Sequence, residues 1–117
     1  MQSIPDALAA WSGGVKLADL PEPVIHEAKR CLVDTIGVAL AGTQHETTLK
    51  ARELVLEEFA PGPCSLLGEA SGISAPGAAL FNGVAAHALD FDDVSHEAMV
   101  HSSCAVLPAA LASAELA

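Results

Sequence analysis

The chain has 117 residues, enough for one domain, and 51% of them are hydrophobic with alanine dominant, while only 3% are aromatic. Small apolar side chains without β-branched runs favour closely packed helices over sheets. Fifteen acids against five bases give a formal charge of −10, which excludes the Lys/Arg patch that a nucleic-acid or anionic membrane partner requires.

All five bases, Lys16, Lys29, Arg30, Lys50 and Arg52, lie in the first half. Cys31, Cys64 and Cys104 are odd in number and unpatterned, so they read as small buried apolar residues in a reducing, cytoplasmic setting. MQSIPDALAAW has neither the basic start nor the apolar run of a secretory signal, and no stretch approaches a membrane span.

In chain order, Ser3 caps a short helix to about Trp11, closed by Ser12-Gly13-Gly14. A second helix starts near Pro23, with Ile25, Ala28, Leu32, Ile36 and Ala39 as its buried stripe. Arg30 and Asp34 pair at i, i+4 on its outer face, and Gly42 takes the left-handed position after it. His45 lies in the following polar link and reads as no ligand. Leu49 to Phe59 is a third helix with Ala51, Val55, Leu56 and Phe59 inward, stopped by Pro61-Gly62-Pro63. CSLLG reads as a brief extended segment or a single turn, and EASGIS as a turn-rich bridge in which Ser74 caps the next helix.

From Ala75 to about Leu89 small residues occupy nearly every face, which places this helix at the centre of the fold. After the loop, Ser102 or Ser103 caps a last helix, in which Pro108 forces a kink or a late start. That helix runs to Ala117 without a closing residue, so the expectation is an all-α chain that is the N-terminal part of a larger protein, cut within a helix.

Between these apolar helices lies HALDFDDVSHEAMVHSS, residues 87 to 103, which holds His87, Asp90, Asp92, Asp93, His96, Glu97 and His101. Acids and imidazoles in one pocket supply the base and the acid that proton abstraction or leaving-group protonation needs. Three other readings stand beside it. DFDD superficially resembles the Asp-rich magnesium clusters of terpenoid synthases, but His96 occupies the place of the further carboxylate. A zinc site from His87, His96, His101 and an aspartate has spacings of nine and five that match no helical metal motif. The plainest reading is an exposed acidic loop in which Asp90 and Asp93 serve as caps.

AKRCLVDTIGVALAG at 28 to 42, NGVAAHALDFDD at 82 to 93, and the H-x-S of His101 to Ser103 followed by VLPAALASAE at 106 to 115 together resemble the N-terminal portion of the MmgE/PrpD family, which includes 2-methylcitrate dehydratase and cis-aconitate decarboxylase. The resemblance runs from about Leu20 onward. It implies a large helical domain, of which residues 1–117 are part, and a lid domain that is absent here. It further implies a homodimer and a lyase, 2-methylcitrate dehydratase-like, that uses no metal or other cofactor on small di- or tricarboxylic acids. By the same resemblance Asp90 and His101 are catalytic, while Asp93, Val94, Ser95 and Ser103 bind substrate. Val94 stands where many relatives carry threonine, with Ser95 next to it, and the segment up to His101 is one residue longer than a common form; both weaken decarboxylation as the reaction. Ser102 replaces the usual proline after the histidine. A polyanionic substrate needs cations, and none follows Arg52, so the chain alone is expected to be inactive. The rival from another class is a non-catalytic truncated helical module that pairs with another chain through its apolar helices.

Overall fold

The computed structural model describes residues 3–117. Five helices carry the architecture: α1 (Ile4–Gly14), α2 (Glu22–Gly42), α3 (Glu46–Glu58), α4 (Ala75–His87) and α5 (Ser103–Leu116). A two-stranded antiparallel hairpin, β1 (Pro61–Ser65) and β2 (Gly72–Ile73), interrupts them, so the chain is mostly helical and not wholly α. Among the described residues no helix is long and apolar enough to cross a membrane.

The centre is α4, as its small residues imply, and Gly77, Ala78, Phe81, Asn82, Ala85 and Ala86 are all buried there. Near its start, Phe81 and Ala78 meet Val55 of α3, Cys64, Leu66 and Ile73 of the hairpin region, and Ala112 of α5 in the main apolar cluster. Toward its end, Ala85 and Ala86 pack on Ala39 of α2. Two glycines set these crossings. A Cβ on Gly42 would run into the Ala85 carbonyl oxygen, and one on Gly83 would stand 3.0 Å from that of Cys104. That Cys104 carbonyl has lost its helical donor, because residue 108 is a proline inside α5. Pro108 is buried and neither stops the helix nor delays its start.

Gly42 therefore differs from expectation. It ends α2 with no left-handed turn, since Thr43 continues in right-handed geometry, and its role is to let two backbones touch. The α2 stripe also shifts. Thr35, Val38, Ala39 and Gly42 are buried, whereas Ala28 and Leu32 are exposed. Length explains this: 21 residues at 1.5 Å each extend about 32 Å, against about 20 Å for the 13 of α4, so the N-terminal half of α2 overhangs its partner. On that overhang Arg30 pairs with Glu27 at 2.9 Å, and not with Asp34.

The remaining elements follow from local chemistry. Ser3 accepts the Asp6 N–H at 3.3 Å and caps α1, which runs through both glycines to Gly14 and buries no residue. His45, expected to be no ligand, caps α3 by accepting the Thr47 N–H on Nδ1 at 3.3 Å. In α3 Val55 and Thr48 point inward; Leu56 is exposed, and Phe59 half-buried. The hairpin forms where Cys64 and Leu66 alternate inward around an outward Ser65. Its first strand carries a bulge, with Pro61 and Cys64 both opposite Ile73, and its second lies in the stretch expected to be only a turn-rich bridge. Buried Asn82 secures the segment after it, donating to the Ser65 carbonyl and accepting the Leu67 N–H, both at 2.9 Å. Ser74 occupies the N-cap position of α4, but its hydroxyl makes no cap bond.

Candidate functional site: an acid and histidine cluster after α4

α4 stops at His87, and the Asp90 N–H closes the turn onto the His87 carbonyl at 3.0 Å. Asp90 itself sits at φ 51°, in the left-handed region that aspartate tolerates better than most residues. The chain then runs back beneath the helix end. Asp90 keeps its side chain at the surface and Phe91 is 79% exposed, whereas Asp92 turns inward.

Asp92 is the hub. Its carboxylate is fully buried, and its two oxygens lie 3.0 and 3.2 Å from His87 Nδ1. The His101 ring meets the His87 ring edge to face, with centroids 4.7 Å apart and planes at 64°. Its Nδ1 is 3.4 Å from Asp92 Oδ2, and its Nε2 is 3.7 Å from Asp90 Oδ1. Burial is the largest single influence on Asp92 and pushes its carboxyl upward. Hydrogen bonds to His87, from the Cys104 thiol and from its own backbone N–H, with the electrostatic pull of His87, jointly outweigh it and hold the group below its ordinary 3.8.

Asp93 faces the other way and acts as a clamp. It accepts the Ser103 N–H at 3.2 Å and the Ser103 hydroxyl at 2.8 Å, which places a carboxylate at the positive end of α5. Between these anchors Ser95 and Val100 form a single antiparallel bridge, and the Ser95 hydroxyl accepts the Ala98 N–H at 3.4 Å. Met99, at the tip, is left-handed at φ 52° and 83% exposed. Cys104 donates to the His101 carbonyl at 3.4 Å. Burial first, and then the Asp92 and Asp93 carboxylates, push its thiol to about 11, so it stays protonated and is no nucleophile near neutral pH.

Of the residues singled out from sequence, the fold brings Asp90 to His101 and Asp93 to Ser103. Val94 and Ser95 lead into the turn bridged by Ser95 and Val100 and take no part in the cluster. His96 also stays outside it: the donors that converge within 4.8 Å of one another come from His87, Asp90, Asp92 and His101. Asp92 is the residue that sequence reasoning left without a role. The Asp-Phe-Asp spacing does not single it out, because Asp90 stays exposed and Asp92 alone of the pair is buried.

The cations are nearer than their sequence positions imply. An open groove of about 720 Å³ along the overhanging half of α2 is lined by His26, Lys29 and Arg30, by the acids Glu27 and Asp34, and by Asp93 from the loop. Arg30 is paired with Glu27 there, and Arg52 is tied to Glu69 at 2.7 and 3.1 Å and fastens α3 to the hairpin turn.

A family model described as the MmgE/PrpD N-terminal domain matches residues 6–117. Cis-aconitate decarboxylase of Homo sapiens is 36% identical over 98% of this chain and 24% of its own length. The cis-aconitate decarboxylase-like protein oryM of Aspergillus oryzae is 31% identical over 93% and 23%, and cis-aconitate decarboxylase of Aspergillus terreus is 29% identical over 91% and 22%. The chain thus spans about a quarter of the length of the curated relatives it matches.

Proposed function

The chain belongs to the MmgE/PrpD family through its N-terminal domain, and from that premise we propose that it forms one wall of the active site of a lyase acting on small di- or tricarboxylic acids. The observation that carries this reading is His101, whose two ring nitrogens face two different carboxylates, Asp92 at 3.4 Å and Asp90 at 3.7 Å. Such flanking fixes the ring plane, and a fixed imidazole beside an exposed carboxylate is equipped to hand a proton to substrate and recover it.

Decarboxylation would break a C–C bond, release CO₂ and leave an electron pair on carbon that His101 protonates. Dehydration, the reaction expected from the sequence resemblance, would instead remove a C–H proton and protonate the departing hydroxyl. Both need the same acid. The relatives, cis-aconitate decarboxylases and a cis-aconitate decarboxylase-like protein, favour loss of CO₂ from cis-aconitate. Asp93 and Ser103, clamped to each other, would shape the wall, with Val94 and Ser95 at its rim, and Lys29 would face part of the substrate's negative charge from the adjoining groove. Further cations, a lid domain and a homodimeric, cytoplasmic setting belong to the proposed whole protein. No metal or other cofactor enters the reaction.

The test is turnover of cis-aconitate and 2-methylcitrate by the full-length protein, following CO₂ and the unsaturated product. Asp90→Asn and His101→Gln are each expected to lower kcat by roughly 10² to 10⁴, the usual worth of a positioned acid or base, and the isolated 117-residue chain to be inactive. Unchanged turnover in both variants would sink the assignment. A second reading, a helical module that pairs with another chain, draws on α1, whose Ile4, Leu8 and Trp11 are exposed apolar residues that no other described residue covers. A monodisperse, monomeric chain in solution argues against it.

A further inference from the structure

We propose that the His87, Asp92 and His101 cluster, with Asp90 at its mouth, is a binding site for one divalent transition-metal ion of the zinc type, which acts as an inhibitor of the site and not as its cofactor. Three observations carry this. Both imidazoles turn Nδ1 toward the one buried carboxylate, at 3.0 Å from His87 and 3.4 Å from His101. Neighbouring ligands around a four-coordinate zinc with bonds of about 2.0–2.1 Å stand roughly 3.3 Å apart, so these two contacts are close to the separation of neighbouring ligands in an occupied shell. The four donor groups lie within 4.8 Å of one another, which small side-chain movements convert to a single centre.

The second observation is that His101 Nδ1 is shut off from solvent and, although 3.4 Å from Asp92 Oδ2, makes no hydrogen bond. A buried ring nitrogen without a hydrogen bond costs free energy that an ion at that point would recover. The third is the donor chemistry. Two imidazoles with carboxylates select zinc, cobalt, nickel or copper, whereas magnesium and calcium prefer all-oxygen shells. Asp90, exposed and 3.7 Å from the far side of the same ring, leaves the fourth position to itself or to water. An ion seated here would occupy the ring and the carboxylate that the proposed reaction needs for proton transfer, so binding and turnover would exclude each other.

Binding is measured apart from activity, so this inference and the lyase assignment fail separately. Metal-free full-length protein is titrated near neutral pH with Zn²⁺ by calorimetry and with Co²⁺ by visible absorption. The expected result is one ion per chain with the intense bands of four-coordinate cobalt. His87→Gln and His101→Gln should each weaken binding about tenfold or more, while His96→Gln leaves it unchanged. Should either variant lose its helical circular dichroism, Asp90→Asn, whose side chain is exposed, replaces it and is expected to weaken binding several-fold. No stoichiometric uptake, or equal affinity in every cluster variant, would overturn the proposal.

Discussion

The two ends of α4 are built on opposite principles. Its N-terminal part is held by shape: Phe81, Ile73, Leu66 and Val55 are buried to within 2% and need only apolar neighbours. Its C-terminal end gives way to a loop in which Asp92 is the one buried residue between His87 and His101 apart from the half-buried Ala88, and two carboxylates hold everything in place. Packing tolerates chemistry but not volume, whereas the loop depends on specific donors and acceptors and leaves Phe91 and Met99 in the open.

The comparison breaks first at the packed end. Phe81→Ala should cost about 3–5 kcal/mol in denaturant unfolding, because it empties the largest buried side chain of the cluster. Next comes Gly42→Ala, which drives a methyl into the Ala85 carbonyl and is expected to cost about 1–3 kcal/mol by forcing α2 off α4. Gly37→Ala on the same helix meets nothing within 4 Å and should raise stability by up to about 1 kcal/mol. Equal thermal shifts for the two glycines would show that the crossing is not tight.

At the loop end the effects are smaller. Asp93→Ala removes the clamp on the start of α5 and should cost about 1–2 kcal/mol, with faster amide exchange at Ser103 as the local readout. Smallest is the acid response of Asp92. Its folded value lies below the unfolded one, so its contribution is complete above about pH 4 and is lost as pH falls through the folded value. Asp92→Asn should flatten that part of the stability profile, and an unchanged profile would remove Asp92 as the electrostatic hub.

The sequence carried the helices better than their faces. Alanine and glycine density marked α4 as central, and caps such as Ser3 marked starts, because both are local effects. The α2 stripe could not be placed from periodicity, since what buries a face is the length of the neighbour and not the pattern itself. Gly42 was readable as special but not for the right reason: a left-handed turn and a close crossing both ask for glycine. The hairpin was hidden because its strands are short, the first carries two prolines, and their pairing is non-local. In the site, Asp90 and His101 came from a resemblance, while Asp92 became visible only when the chain folded back under α4. Lys29 and Arg30, more than sixty positions away from Asp93, reach its groove only through the overhang of α2.

Asp90 is asked to do two unrelated things at once, since it turns the backbone through φ 51° and presents its carboxylate to His101. Mutational tolerance at this position is therefore not a report on chemistry alone. Asparagine and glycine keep the turn and discard the charge, whereas glutamate keeps the charge and strains the turn. Drift at residue 90 has few neutral steps available, and a lineage that loses the reaction is expected to settle on asparagine or glycine there, preserving the corner long after the acid has gone.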